Sequence, residues 1–350
     1  MSIKFNFTNI ETNRVRPVGY KYPVGLTRGL HPTNITIVGS PLLIAVGHGG
    51  GGADGGPRDG SPQPTSGKNG GSGGGGEGFD SANPGGTANQ ISYFGLTGFG
   101  NPGGAGSYGG GPGGSTSPGG AGGAGGAGFP GATPGLNQGR GGTGRFYSIS
   151  GANVGYAGGG SASPAPWAPP SGGRDDGGGF ATGPFPSPGG NGLANRGGGA
   201  ANGPGFSSPN PAAPPAGTSY TGGSGVVIIR YQTSQDPNSR VSGGTKTTDG
   251  DNTVHTFTSS GIFWANTTLT NVDMLIVGGG GGGGAGNDSG PGASGAGGLL
   301  YGTRNLNTAS YTIVIGAGGV GTAPPGQGTN GENTTITIAN TEPDVQFIIE

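Results

Sequence analysis

The sequence predicts an all-β protein with extensive irregular, polyglycine II-type (polyproline II-like) helices. Short β-strands frame a glycine-rich body, and there is essentially no α-helix. Three observations carry that expectation. The 350 residues include 94 glycines and 30 prolines, together more than a third of the chain. The apolar residues gather in short runs of strand length, several of them β-branched. No stretch repeats apolar residues at helical spacing.

A chain this rich in glycine and proline without a strict period is ordinarily disordered. Two features point to order instead. Net charge is only −1, whereas disordered chains are usually strongly charged. The glycine tracts are also bracketed by strand-like segments. Order then poses an energy problem, because fixing each backbone costs about 1–2 kcal/mol and glycine buries no side chain. Backbone hydrogen bonds, at about 0.5–1.5 kcal/mol net each, have to supply much of the stabilisation. Extended three-fold helices meet that need. They have no internal bonds, so each N–H and C=O faces a neighbour, and proline fits their fixed φ. Alanine at 121, 124 and 127 in the Gly119–Gly128 stretch follows this three-residue period and places three methyls on one edge. Phe129-Pro130-Gly131-Ala132 breaks the frame a collagen helix would need.

In chain order, residues 1–46 read as an N-terminal strand and attachment segment. Asn34-Ile35-Thr36-Ile37-Val38 and Leu42-Leu43-Ile44-Ala45-Val46 form two short strands around Gly39-Ser40-Pro41. Residues 47–231 form the glycine-rich body, with apolar islands at 91–94, 146–149 and 154–156. It closes on Val226-Val227-Ile228-Ile229-Arg230-Tyr231, a run that fits a strand buried on both faces. Residues 232–253 read as a linker or an edge hairpin, with turn signals at Asp236-Pro237-Asn238 and Asp249-Gly250-Asp251. Residues 254–350 form a second β and glycine-rich unit. Its strands fall at 254–257, 261–264, 274–277, 299–301, 311–315, around 336–338 and at 345–349.

Composition excludes several function classes. Hydrophobic residues are 29% and charged residues 9%, with no cysteine, so an ordinary enzyme core, a disulfide scaffold and a cysteine-ligated metal site are all excluded. Fifteen basic against sixteen acidic residues give no basic stripe for nucleic acid. The longest apolar runs are far short of the roughly 20 residues of a membrane span. Gly316-Ala317-Gly318-Gly319-Val320-Gly321 fits a dinucleotide fingerprint. A helix must follow such a fingerprint, and Thr322-Ala323-Pro324-Pro325 does not start one. His31, His48 and His255 are scattered, without a paired carboxylate or nucleophile. Asp249-Gly250-Asp251-Asn252 lacks the glutamate of a calcium loop and reads as a turn. Asp175-Asp176 reads as a solvated loop tip. No catalytic residue, cofactor or metal site is expected, and the chain is expected not to be an enzyme.

Trp167, Phe180, Phe185, Phe206 and Tyr220 stand in proline-rich stretches too irregular for strands. Aromatics on rigid loops can stack on sugars and anchor interfaces, which makes these five the candidate surface or glycan contacts. The alternative is that they plug gaps between glycine helices or subunits. Five sequons, at Asn6, Asn34, Asn266, Asn287 and Asn333, matter for N-glycosylation only if a glycosylating host secretes the protein.

Four longer strings belong together. Val254-His255-Thr256-Phe257-Thr258-Ser259-Ser260-Gly261 is followed by Val272-Asp273-Met274-Leu275-Ile276-Val277-Gly278 and its glycine run. Gly297-Gly298-Leu299-Leu300-Tyr301-Gly302 and Tyr311-Thr312-Ile313-Val314-Ile315-Gly316-Ala317-Gly318-Gly319 come later. Together they resemble the opening half of the glycine-rich domain found in tail-fibre and other virion appendage proteins of tailed bacteriophages. Val154-Gly155-Tyr156-Ala157-Gly158-Gly159-Gly160 and Gly222-Gly223-Ser224-Gly225-Val226-Val227-Ile228-Ile229-Arg230-Tyr231 resemble its closing half. The resemblance implies a structural and adhesive role, with loops that contact host receptors.

Here, however, the closing half comes first. Three arrangements stay open: the halves pair between chains, building a head-to-tail fibre by strand addition; they meet within one chain, as after a circular permutation; or residues 1–46 replace the missing half. In the first arrangement the inter-subunit strands would carry Val226, Ile228, Met274, Ile276, Ile313 and Ile315. If 226–231 and 274–277 share a sheet inside one chain, that arrangement fails.

The leading expectation is therefore a structural component of a phage tail fibre or similar virion appendage, with host-surface adhesion. A cellular extracellular filament or matrix protein and a carbohydrate-binding module are the alternatives. Expected partners are further copies of the chain (a trimer or a head-to-tail fibre), other virion or filament proteins, and a host-surface glycan or protein. Neither nucleic acid nor membrane insertion is expected. The expected location is the virion or the extracellular space.

Overall fold

The structure is a computed structural model that describes residues 35–37, 43–47, 66–79, 81–108, 116–131, 139–162, 176–179, 190–202, 220–285, 291–322, 326–339 and 347–349. Among these residues the strands, in chain order, are β1 (Ile35–Ile37), β2 (Leu43–Ala45), β3 (Gly78–Phe79), β4 (Ser81–Ala82), β5 (Thr97–Phe99), β6 (Ser107–Tyr108), β7 (Thr116–Ser117), β8 (Arg145–Tyr147) and β9 (Val154–Tyr156). They continue with β10 (Val226–Gln232), β11 (Thr245–Asp249), β12 (Asn252–Phe257), β13 (Gly261–Ala265), β14 (Leu269–Val277), β15 (Leu299–Leu306), β16 (Ala309–Val314), β17 (Thr334–Ala339) and β18 (Phe347–Ile349). The described residues are all-β. Their one helical turn is 3₁₀, at Thr233–Gln235.

Two antiparallel sheets form a sandwich. One has six strands in the order β11-β12-β10-β14-β15-β5, the other four in the order β13-β16-β17-β2. Alternation along the strands sets the faces. Val227, Ile229 and Tyr231 of β10 and Met274 and Ile276 of β14 point between the sheets. There they meet Phe263, Tyr311, Ile313, Ile336 and Leu43 of the four-stranded sheet. Phe263 is fully buried at the centre, with its ring edge-on to His255 and tilted against Tyr311. The opposite face of the six-stranded sheet carries Val226, Ile228, Leu275, Val277 and Leu299. The β8–β9 ribbon packs onto them through Tyr147, Val154 and Tyr156.

The strand assignments correct the inter-chain arrangement. Val226 pairs with Val277, Ile228 with Leu275, Ile229 with Met274 and Val227 with Ile276, all inside one chain. The other side of β10 is taken by β12, and the other side of β14 by β15. Ile313 sits between Gly261 and Ile336. Ile315 donates its N–H to Ser260 Oγ and packs against the core. These strands have no free edge to offer a second subunit, so the two halves meet within the chain. Residues 232–253, read as a linker or an edge hairpin, hold the 3₁₀ turn and then β11, which pairs with β12 across a turn at Gly250-Asp251. The two N-terminal strands do not pair with each other: β1 pairs with β18, and β2 with β17.

The glycine segments extend from the sheets and are bonded in a regular way. In the run 278–284, Gly278 and Gly281 donate to the carbonyls of Gly298 and Gly295. Gly279 and Gly282 donate to Glu332 and Thr329, and Gly280 and Gly283 to Gly223 and Tyr220, all at 2.9–3.1 Å. Residues 119–124 repeat the pattern. Gly119 and Gly122 donate to Gly76 and Gly73, Gly120 and Gly123 to Phe129 and Gly126, and Ala121 and Ala124 to Gly160 and Ala157. A donor direction that returns every third residue is the geometry expected of an extended three-fold backbone. Ala121 and Ala124 are buried. Ala127 is exposed, because the chain bends at 124–126 and leaves the edge.

His255 is fully buried between the sheets. A carbonyl can only accept, so Nδ1–H donates to Gly243 O at 2.7 Å, and Nε2 accepts from the Tyr231 hydroxyl at 3.2 Å. Accepting at Nε2 needs the neutral ring, whereas the Nδ1–H bond to Gly243 is kept in either form. Burial lowers the His255 pKa. Lys246 lowers it further, while the Gly243 carbonyl and Asp236 oppose the shift. The unfolded chain takes up that proton near pH 6.5 and the folded chain only below it, so protonation favours unfolding. Stability is therefore expected to hold above about pH 6.5 and to fall as pH drops below it. Melting temperatures between pH 7.5 and 5 should show this slope, and His255→Gln should flatten it, whatever that change does to stability at pH 7.5.

Candidate binding surface

Strand alternation places Arg230, Asp273 and Thr303 on the same face of the six-stranded sheet as Ile228, Leu275 and Tyr301. The register sets Arg230 opposite Asp273, and Asp273 opposite Thr303. Thr303 Oγ1 donates to Asp273 Oδ1 at 2.7 Å. Arg230 Nη1 reaches Asp249 Oδ2 at 2.7 Å and also donates to Ser148 O at 3.2 Å. The latter bond ties the row to the β8–β9 ribbon. Next to the row, the Tyr147 ring of that ribbon lies on the Tyr301 ring, centroids 4.2 Å apart and tilted 33°. Arg145 stands over the Phe99 ring at 3.7 Å. Burial raises the Tyr301 pKa and Asp273 adds to it, so the phenol stays protonated. The result is a partly buried aromatic pair beside a row of hydrogen-bonding side chains.

A second exposed surface lies on the outer face of the four-stranded sheet. Ile262, Trp264 and Val314 are each more than two-fifths exposed there, and Thr312, Thr335 and Thr337 lie between them. A third is the turn at Tyr93–Leu96, where Phe94 is 58% exposed at a φ of +43°.

The sites expected from sequence fare differently. Trp167, Phe180, Phe185 and Phe206 lie outside the described residues, as do Asn6, Asn34, Asn287, His31 and His48. Tyr220 is not a surface contact. It is buried, and its carbonyl is bonded into the glycine segments by Gly283 N–H. Asp176 is also buried, accepting from Gly144 N at 2.6 Å, so it is no solvated loop tip. Asn266 donates to Arg240 O, and Asn333 accepts from Gly47 N–H. In 316–321 the amides of Gly316, Ala317 and Val320 donate to Thr334 Oγ1, Glu332 Oε2 and Thr329 Oγ1, and that of Gly319 to Gly280 O. They are committed to the fold, not to a phosphate. Among the described residues no cluster of three or more His, Asp or Glu could hold a metal ion. No helix there is long and apolar enough to cross a membrane.

Sequence reasoning missed Tyr147, Tyr301, Asp273 and Arg230 as a group. Period-two alternation shows that Ile228 and Arg230 share a face, as do Asp273 and Leu275. Only the pairing register brings residues from 147, 230, 273 and 301 together.

Sandwich and glycine segments together define an all-β protein whose glycine segments are joined by backbone hydrogen bonds. A family model described as a glycine-rich domain matches residues 252–344. No curated protein and no solved structure matches the chain. The matched stretch opens at the first residue of β12 and runs past β17. Its sheets are completed from outside it, by β10 between β12 and β14 and by β2 beside β17.

Proposed function

We propose that this chain is a non-enzymatic structural protein of a tailed-phage tail fibre or comparable virion appendage, acting outside the cell and serving adhesion to a host surface. The three-residue return of backbone bonds in 278–283 and 119–124 carries the reading. It supports a polyglycine II-type body, rigid without a large apolar interior, which suits a protein loaded along its length in an assembly. The resemblance of the flanking strings to the appendage domain supplies the biological setting. The working form is a homo-oligomer, built by surfaces other than β10 and β14.

Two experiments test this. Gold-labelled antibody against the chain should decorate the tails of purified virions in electron micrographs. Label confined to capsid-free filaments would assign the protein to a cellular matrix instead. By amide hydrogen exchange, Gly278–Gly283 should exchange as slowly as Ile228 and Leu275, through global unfolding. Exchange within minutes in that run, with the strands still protected, would remove the polyglycine II body from the account.

A further inference from the structure

We infer that the partly exposed row on the six-stranded sheet, Arg230, Asp273 and Thr303 beside the Tyr147–Tyr301 pair, is a binding site for a neutral oligosaccharide. The inference goes beyond the appendage role and does not rest on it.

Three observations specify the ligand. Tyr147 and Tyr301 are each partly exposed, one rooted in the β8–β9 ribbon and the other in the sheet, with their rings against each other. Such rings favour the C–H face of a pyranose, an apolar surface with a polar rim. The adjoining row offers acceptors and donors: the Asp273 carboxylate with the Thr303 hydroxyl at 2.7 Å, and the Arg230 guanidinium on the neighbouring strand. Vicinal sugar hydroxyls, each both donor and acceptor, match that mixture.

Charge decides the class of sugar. Arg230 is neutralised by Asp249 at 2.7 Å. Arg145 and Asp273 carry one further charge of each sign, so two arginines face two aspartates. A sulfated or sialylated ligand therefore gains no net attraction, and a neutral one meets no unpaired charge. A peptide strand is disfavoured as well, because β10 and β14 are paired on both sides and offer no backbone edge.

The test uses the full chain on an array of neutral hexose and N-acetylhexosamine oligosaccharides, with sialylated and sulfated glycans as the charged arm. The brightest neutral glycan is then titrated by calorimetry. Saturable binding to a neutral oligosaccharide is expected. Tyr301→Ala and Asp273→Asn should each weaken it about tenfold or more, as loss of a central contact does. Tyr301→Phe should keep most of the affinity. Asp273→Asn changes little volume, so its melting temperature should stay that of the parent and its affinity loss report the site itself. No neutral glycan retained, binding restricted to charged glycans, or binding that survives both substitutions would each overturn the inference.

Discussion

Gly280→Val is expected to destabilise the protein by about 3 kcal/mol or more, at or beyond the upper end for overpacking. Gly280 donates to Gly223 O and accepts from Gly319 N, so both of its backbone groups are committed. Any Cβ there would press on the carbonyl of Gly198. That carbonyl is backbone, and it is held by Gly223 N–H at 2.8 Å. A flexible side chain could rotate away; this group cannot. Gly261→Ala is the control. Its methyl would meet only the Phe257 ring, at 3.7 Å, and should change stability by about 0.5 kcal/mol or less. Denaturant midpoints measure both. Equal midpoints would mean that glycine is not required for close backbone approach.

Phe263→Ala is expected to cost about 3–5 kcal/mol, the range for a buried aromatic cut to a methyl. Phe263 is fully buried and meets His255, Phe257 and Tyr311 at centroid distances of 5.2, 6.4 and 6.2 Å. Its cavity would open where the two sheets meet. Trp264, one residue on, faces outward and is 44% exposed. Trp264→Ala should cost about 1 kcal/mol or less. The contrast between neighbours tests the alternation that orients β13. Similar losses at both would mean that β13 does not present opposite faces to core and solvent.

Much of the fold could be read from local pattern. The run Val226–Tyr231 was legible as a strand buried on both faces, because continuous apolar residues leave no polar side. Asp249-Gly250-Asp251 was legible as a turn for its backbone chemistry. Alanine at 121, 124 and 127 suggested a three-residue period, and Ala127, unlike Ala121 and Ala124, is exposed. The partners were not legible. Residues 34–38 and 42–46 read as two short strands, and each pairs with a strand some 290 or more residues later. Nothing in either segment encodes that register, since a strand's preference for its partner lies in side-chain packing across the whole sheet. The candidate surface was hidden for the same reason. A tyrosine in a short strand carries no signal of its own, and Tyr147 lies more than 150 residues before Tyr301. Tyr220 is harder to place from sequence, because proline-rich surroundings suit a loop as well as a gap-filling position, and its carbonyl accepts from Gly283 N–H.

The bonding of Ser72 and Gly75 to Ala296 and Ala293 has a kinetic consequence. During synthesis, more than 200 residues must leave the ribosome before those amides find their acceptors. β10 likewise waits for both of its flanking strands. The N-terminal glycine segments are therefore made long before they can close, and closure of such distant contacts is slow. Once the last strands arrive, opening any one segment breaks bonds to neighbours from several parts of the chain, so the finished molecule should be as reluctant to come apart as it was slow to form.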